Sequence, residues 1–238
     1  MKSTKLMKLY ALIVGVMFLS CGCGDVVQSD IQVAKQHAGS DMNTTAIYIV
    51  MDGSGSMEDK VQDGNTFSPK WDIAKRSLIQ LGNILDTYLK SNPSKKILTG
   101  IVLFEKNEIT SFDFGIITNN VTEVYKKWTN EVNSPCGGTP IGTAITKASN
   151  CFANDQVNSK HIIVITDGVN NVGYGAYTAV TRLNKGANVH FIAFDVDASV
   201  FDDVKKIGCG VVNATNATDL QKRVNTIVKN DILLEKED

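Results

Sequence analysis

The side chains in this chain best suited to chemistry are oxygen donors. The stretch Val50-Met51-Asp52-Gly53-Ser54-Gly55-Ser56-Met57 sets one carboxylate and two hydroxyls at alternate positions. Such oxygens are hard donors, which suit Mg²⁺, Mn²⁺ or Ca²⁺ rather than Zn²⁺. Alternate spacing lets Asp52, Ser54 and Ser56 curl toward one point, and the glycines permit a tight turn without a Cβ clash. The same residues would also serve as caps in an ordinary strand-to-helix turn. Two further segments each add one donor. Pro135-Cys136-Gly137-Gly138-Thr139-Pro140 is a loop that opens a helix and carries Thr139. Ile162-Ile163-Val164-Ile165-Thr166-Asp167-Gly168 is an apolar strand that ends in Asp167.

Taken together, Asp52-x-Ser54-x-Ser56, Thr139 and Asp167 come in an order, and after the kinds of element, that resemble the metal-ion-dependent adhesion site of von Willebrand factor type A domains. The resemblance covers roughly residues 44–228, and five residues in three separated segments make it specific. It implies that Ser54 and Ser56 ligate a divalent metal, Mg²⁺ or else Mn²⁺ or Ca²⁺, directly. Thr139 joins directly or through water, while Asp52 and Asp167 act mostly through water and hold the hydroxyls. With neutral direct ligands the ion keeps much of its charge and favours a carboxylate from an Asp or Glu of a protein partner. The function this implies is a divalent-cation-dependent protein-binding module. Glu58, Asp59, Tyr174 and Tyr177 lie on neighbouring loops, as a rim or as ordinary solvated residues. Two alternatives are a metal-braced scaffold subunit of an envelope complex and a metal-assisted hydrolase or phosphoryl-transfer enzyme. An enzyme is disfavoured. The histidines are His37, His161 and His190, the last two within or at the base of strands, and there is neither a Gly-x-Ser-x-Gly elbow nor a P-loop lysine.

The elements that must position these donors follow from hydrophobic pattern. Thr44–Met51, Ile97–Phe104, Ile109–Phe114, His161–Thr166, Val189–Phe194 and Gly210–Ala214 read as six strands. The second and third are joined by a short polar turn, which predicts an antiparallel hairpin at one edge. Residues 58–67 read as a polar loop on the metal face. Trp71, Ala74, Leu78, Leu81, Leu85 and Leu89 recur at helical spacing, which predicts a helix over 69–89 with this stripe inward. Val121, Val124, Trp128 and Val132 mark a second helix. A third begins at Pro140 with Ile141, Ala144, Ile145, Ala148 and Phe152 inward. Ala176–Leu183 and Val200–Ile207 give two short helices closed by Gly186 and Gly208. Thr218-Asp219-Leu220-Gln221 has the pattern of a capping box for the last helix. Strands alternating with helices mean an α/β fold: a doubly wound, mostly parallel six-stranded sheet with one antiparallel edge strand and helices on both faces. Ligands of such folds sit beyond the carboxyl ends of the strands where strand order reverses. Asp52 and Asp167 both stand at such ends.

Composition bounds the rest. The 238 residues accommodate one domain with a leader and a tail. A formal net charge of -1 gives no electrostatic case for nucleic acid. Lys2, Lys5 and Lys8 precede the apolar run Leu9–Leu19, too short to span a bilayer comfortably, so residues 1–20 read as a secretory signal. Ser20-Cys21 after that run resembles a bacterial lipoprotein cleavage site, with Cys21 as the lipidated residue and Cys23 the alternative. Phe18 and Leu19 depart from the usual pattern, and plain secretion is the other reading. Residues 21–43 read as the lipidated N-terminus and tether, 44–230 as the domain and 231–238 as a charged tail. Membrane attachment is then through the lipid anchor at the bacterial cell envelope, on the outer membrane if the host has two. Cys136, Cys151 and Cys209 allow at most one disulfide, and thiols are expected at Cys151 and Cys209.

Overall fold

The apolar run that ends at Met51 forms the middle of a sheet. In the computed structural model, which describes residues 40–105, 108–132, 134–183 and 186–234, strand β1 spans Ser40–Asp52. It is flanked on both sides by parallel neighbours, so residues 44–52 are buried throughout. A strand covered on both faces needs a continuous apolar run rather than alternation. The strand starts four residues earlier than its apolar run. A register irregularity falls between Asp41 and Thr45, and Lys96 pairs with Asp41 at 2.8 Å. The end of the expected tether therefore belongs to the sheet. Cys21, Cys23 and the leader lie outside the described residues.

The other strands are β2 (Lys60–Asp63), β3 (Thr66–Pro69), β4 (Lys96–Glu105), β5 (Glu108–Ile117), β6 (Gln156–Thr166), β7 (Asn188–Phe194) and β8 (Gly210–Ala214). The helices are α1 (Lys70–Ser91), α2 (Val121–Glu131), α3 (Ile141–Cys151), α4 (Ala176–Arg182), α5 (Asp202–Lys206) and α6 (Ala217–Thr226). Six strands form one sheet in the order β5-β4-β1-β6-β7-β8. All neighbours are parallel except β4 and β5, which form the antiparallel edge.

Alternate residues of β1 divide the core. Ile47, Ile49 and Met51 pack with α1, α2 and α6 on one face. Ala46, Tyr48 and Val50 pack with α3, α4 and α5 on the other. The stripe Trp71, Ala74, Leu78, Leu81, Leu85 and Leu89 of α1 is buried as its spacing requires. Trp71 and Phe112 each meet Trp128 edge-on, with ring centroids 6.4 and 5.8 Å apart, an arrangement the ring quadrupoles favour.

Four local readings are corrected. Residues 58–67 are not a plain loop. β2 and β3 pair as a small antiparallel hairpin with Gly64 at φ 62 in its turn. Around α5 the buried residues are Phe201 and Val204, whereas Val200 and Ile207 are exposed. A 3-10 turn at Ala198–Phe201 shifts the helical phase there. The N-cap of α6 is Asn216, whose side chain accepts from the Asp219 N–H at 2.9 Å, two residues before Thr218. After α6 a π-helical turn, Ile227–Ile232, carries Ile232 into the core, so the domain runs past residue 230 into the start of the expected tail. Among the described residues no disulfide forms, and Cys136, Cys151 and Cys209 are half-buried thiols.

Candidate functional site

Strand order reverses between β1 and β6, because the chain leaves β1 for β4 on one side and later returns to β6 on the other. The register pairs Met51 with Ile165, which brings Asp52 beside Thr166 at the carboxyl ends of both strands. The Thr166 hydroxyl donates to Asp52 Oδ2. Asp52 Oδ1 accepts the Ser54 N–H at 2.8 Å, turning the chain back across the strand end. Ser54 Oγ and Ser56 Oγ lie 3.2 Å apart, and Ser56 Oγ donates to Asp167 Oδ1 at 2.7 Å. Four of the five expected residues are thus joined by direct contacts.

Thr139 is brought in by the backbone. Cys136 N–H donates to Gly53 O at 2.8 Å, and Gly55 N–H to Gly137 O at 3.2 Å. These bonds stitch the Thr139 loop along the Asp-x-Ser-x-Ser loop. From the other side, Thr139 N–H donates to Asn171 Oδ1 at 2.7 Å and Asn171 N–H to Thr139 O at 3.2 Å. Neither Gly53 nor Gly55 has positive φ, so tight turning is not what either supplies. Gly53 is required by close approach: a Cβ there would stand 2.7 Å from Phe104 O. Gly137, at φ 91, is where the backbone needs glycine.

Asp52, Ser54, Thr139 and Asp167 are buried, and Ser56 is exposed. Burial pushes the Asp52 carboxyl up to about 6; hydrogen bonds from Ser54 and Thr166 pull it back, and the Asp167 charge adds to the rise. A buried carboxylate held in this way favours a nearby cation. Among the described residues no three His, Cys, Asp or Glu side chains converge as a metal cluster. Any cation here would be held chiefly by hydroxyls. The donor chemistry fits a hard divalent ion. Adjacent oxygens around Mg²⁺ lie about 2.9 Å apart, close to the spacing of the two serine hydroxyls.

Three residues of the site carry no signal in the donor pattern. Lys70, at the first position of α1, is 5% exposed. Its Nζ stands 2.9 Å from Asp167 Oδ2 and 3.1 Å from Asp195 Oδ2. Burial works against its charge, but the Asp167 and Asp195 carboxylates outweigh that and hold the ammonium above its ordinary range. A lysine at a helix N-terminus opposes the helix dipole, and that mismatch was the available clue. Asp195 closes β7 at φ 58, a left-handed conformation uncommon outside glycine. Its position at a strand's carboxyl end repeats that of Asp52 and Asp167. Thr166 stands immediately before Asp167. Of the rim residues, Glu58, Asp59 and Tyr177 are exposed, and the Asp59 carbonyl accepts the Lys70 N–H at 2.9 Å. Tyr174 is half-buried, its hydroxyl donating to Thr146 Oγ1 at 2.9 Å. His161 and His190 stack within the sheet with centroids 5.6 Å apart, as structural histidines.

Comparison with known proteins bears on the fold. No curated protein matches the chain. Among solved structures, the PilB minor pilin from Streptococcus sanguinis aligns with TM-score 0.61 and 18% identity over 79% of this chain and 61% of its own. The pilus adhesin SpaC from Lactobacillus rhamnosus GG aligns with TM-score 0.63 and 16% identity, over 84% of this chain and 32% of its own. The conserved hypothetical protein BatB from Bacteroides thetaiotaomicron aligns with TM-score 0.57 and 21% identity, over 77% of this chain and 97% of its own. The chain therefore spans about three fifths of the pilin and about a third of the adhesin. At these identities the likeness is one of fold. The family model of the von Willebrand factor type A domain matches residues 47–170, which hold all five expected donors. On that match, over half of its length, the chain belongs to the von Willebrand factor type A domain family.

Proposed function

We propose that this protein is a divalent-cation-dependent protein-binding module of the bacterial cell envelope. The observation that carries this reading is a pair of hydroxyls, Ser54 Oγ and Ser56 Oγ, 3.2 Å apart, with Ser56 bonded to Asp167 of a distant strand end and the Thr139 loop tied alongside through backbone bonds to Gly53 and Gly55. Ser54, Ser56 and Thr139 would hold Mg²⁺, or Mn²⁺ or Ca²⁺, and the bound ion supplies a positive point to which a partner's Asp or Glu carboxylate binds. Asp52 and Asp167 act from behind. Each of their oxygens already accepts a hydrogen bond from Ser54 N–H, Thr166, Ser56 or Lys70, so they orient the hydroxyls.

The geometry also suits an N-terminal anchor. β1 begins at Ser40 and ends at the site, a span of roughly 40 Å at the usual rise of a strand. A lipid on Cys21, or on Cys23, would tether the domain through the end of β1 opposite the donors. A binding role is preferred to a catalytic one. Hydrolysis would need a positioned base, and the imidazoles of His161 and His190 are buried within the sheet.

The test is a calorimetric titration of the chain with Mg²⁺ and with Mn²⁺, beside a Ser54→Ala, Ser56→Ala double variant. Saturable binding to the wild type and a loss of at least about tenfold in the variant are expected, as two direct ligands disappear. An intact fold with equal uptake by both proteins, or none by either even in excess acetate, would remove the metal-bridged reading. A metal-free scaffold would then lead.

A further inference from the structure

The buried lysine beside the donors has no place in the ligand pattern. Taking a full ammonium out of water is costly unless it is paired, and Lys70 is placed with evident specificity. It enters at the first turn of α1, against the helix dipole, and its backbone N–H is fixed to Asp59 O at 2.9 Å. Its Nζ is shared between Asp167, whose side chain is fully buried, and Asp195, whose side chain is 42% exposed. The two pairings are therefore unequal. The contact with Asp167 is shielded from solvent and the one with Asp195 is screened by it.

Charge accounting follows from these positions. Asp52 and Asp167 bring two buried negative charges to the carboxyl ends of β1 and β6. Lys70 cancels one of them. It also occupies Asp167 Oδ2 while Ser56 occupies Oδ1, so Asp167 is turned away from direct ligation. Without the ammonium, the same pocket would hold an uncompensated pair of carboxylates. It would bind a divalent cation tightly and leave that cation little attraction for a further anion.

We infer that Lys70 is a specificity-determining residue that tunes this site's charge, weakening its hold on a bare divalent ion so that ion and carboxylate partner bind as a cooperative pair. This rests on the metal-bridged reading and adds to it a residue and a direction. Asp195 is the counterweight: by drawing on the same ammonium it moderates the effect of Lys70 on Asp167. Lys70 is in this sense a built-in competitor of the cation, and the partner's carboxylate is what makes up for it.

The test is Mn²⁺ binding by calorimetry, with and without acetate as the carboxylate probe, on the wild type, Lys70→Met, Lys70→Arg and Asp195→Asn. Thermal melting of each protein reports folding independently. Lys70→Met, which keeps the stem and removes the charge, is expected to bind Mn²⁺ about tenfold more tightly without acetate. Acetate should then improve its binding less than it improves that of the wild type. Lys70→Arg should stay near wild type, and Asp195→Asn should weaken binding about two- to threefold, the size expected of a screened charge. A folded Lys70→Met protein with unchanged or weaker Mn²⁺ binding would overturn the inference and leave Lys70 a structural ion pair. Should Lys70→Met fail to fold, Lys70→Gln, which also removes the charge but keeps a polar end for Asp167, decides: tighter Mn²⁺ binding without acetate supports the inference, and unchanged or weaker binding overturns it. The wild type with acetate reports separately on the underlying reading. If neither it nor any variant takes up Mn²⁺, the metal-bridged function fails and the role of Lys70 fails with it. If the wild type binds while Lys70→Met does not differ, only the role of Lys70 is lost.

Discussion

Asp52 is the residue on which the site's internal order depends, and its environment shows why Thr166 belongs beside it. A carboxylate with no solvent exposure stays ionised only if its oxygens find donors. Oδ1 has the Ser54 N–H and Oδ2 has the Thr166 hydroxyl. Thr166→Val keeps the β-branched shape but removes the second donor, and a buried acceptor left unsatisfied costs about 1–3 kcal/mol. Chemical denaturation should show a loss of that size for Thr166→Val and most of it restored in Thr166→Ser, which returns the hydroxyl. Equal stability of the valine and serine variants would mean that the bond contributes nothing net. The candidate donors Asp52, Ser54, Ser56, Thr139 and Asp167 stand out by residue type and spacing because each sits at a strand end or loop tip. Thr166 and Lys70 do not. A threonine inside an apolar strand and a lysine at the start of an amphipathic helix each have a commonplace alternative, and only the fold brings them to one carboxylate.

At the scale of elements, the helices locate one another by specific contacts as well as by burial. The first N–H groups of a helix lack internal partners, and those of α2 are met from α1. Asp86 accepts from Val121 N–H at 2.7 Å and Thr122 N–H at 3.0 Å, and takes the Thr122 hydroxyl at 2.6 Å. Asn120, the residue that would ordinarily cap, is at φ 62 and makes no side-chain cap bond. Asp86→Ala should therefore cost about 1–2 kcal/mol, as loss of a cap does. The loss should appear in urea unfolding while the proposed Mn²⁺ binding stays unchanged, since Asp86 lies about 24 Å along α1 from Lys70. An undiminished midpoint would show that water replaces the carboxylate at no cost. The elements themselves are legible where periodicity is strong. The α1 stripe, the β4–β5 hairpin and the apolar β6 and β7 follow from pattern, because buried faces require it. The β2–β3 hairpin escaped because Lys60–Asp63 is polar, with only Val61 buried, and shows no alternation over enough residues. α6 is capped by Asn216 rather than Thr218 for a related reason. Asn216 and Asp219 have the same three-residue spacing as the box expected two positions later, and sequence alone does not choose between overlapping caps.

Across the whole molecule, two buried groups couple folding to protons in opposite directions, and only one belongs to the site. Burial pushes His161 down to about 4 from the usual 6.5, whereas burial raises Asp52 to about 6. Between those limits the unfolded chain binds more protons at His161 than the folded one does, so this histidine's contribution is fully present above pH 6.5 and is lost as pH falls toward 4. Asp52 does the reverse, since the folded state holds its proton more tightly, and acidification from pH 6 toward 3.8 stabilises. A single stability profile of the metal-free protein would thus be flatter than either group alone implies. The difference between two proteins isolates His161. His161→Phe preserves a ring against His190, the group it faces at 3.3 Å between Nδ1 and Nε2, and removes the titration. The stability gap between wild type and variant should shift against the wild type as pH drops from 7 to 4, by up to about 3 kcal/mol at 1.36 kcal/mol per pKa unit. Urea denaturation at pH 7, 6, 5 and 4.5 reads this directly, and a gap that stays constant would mean that His161 titrates alike in both states. Saturating Mn²⁺ should leave that gap unaltered, because His161 lies within the sheet and the proposed ion would sit at its carboxyl edge. The central sheet and the site above it would then respond independently, the sheet to protons and the site to cation and partner.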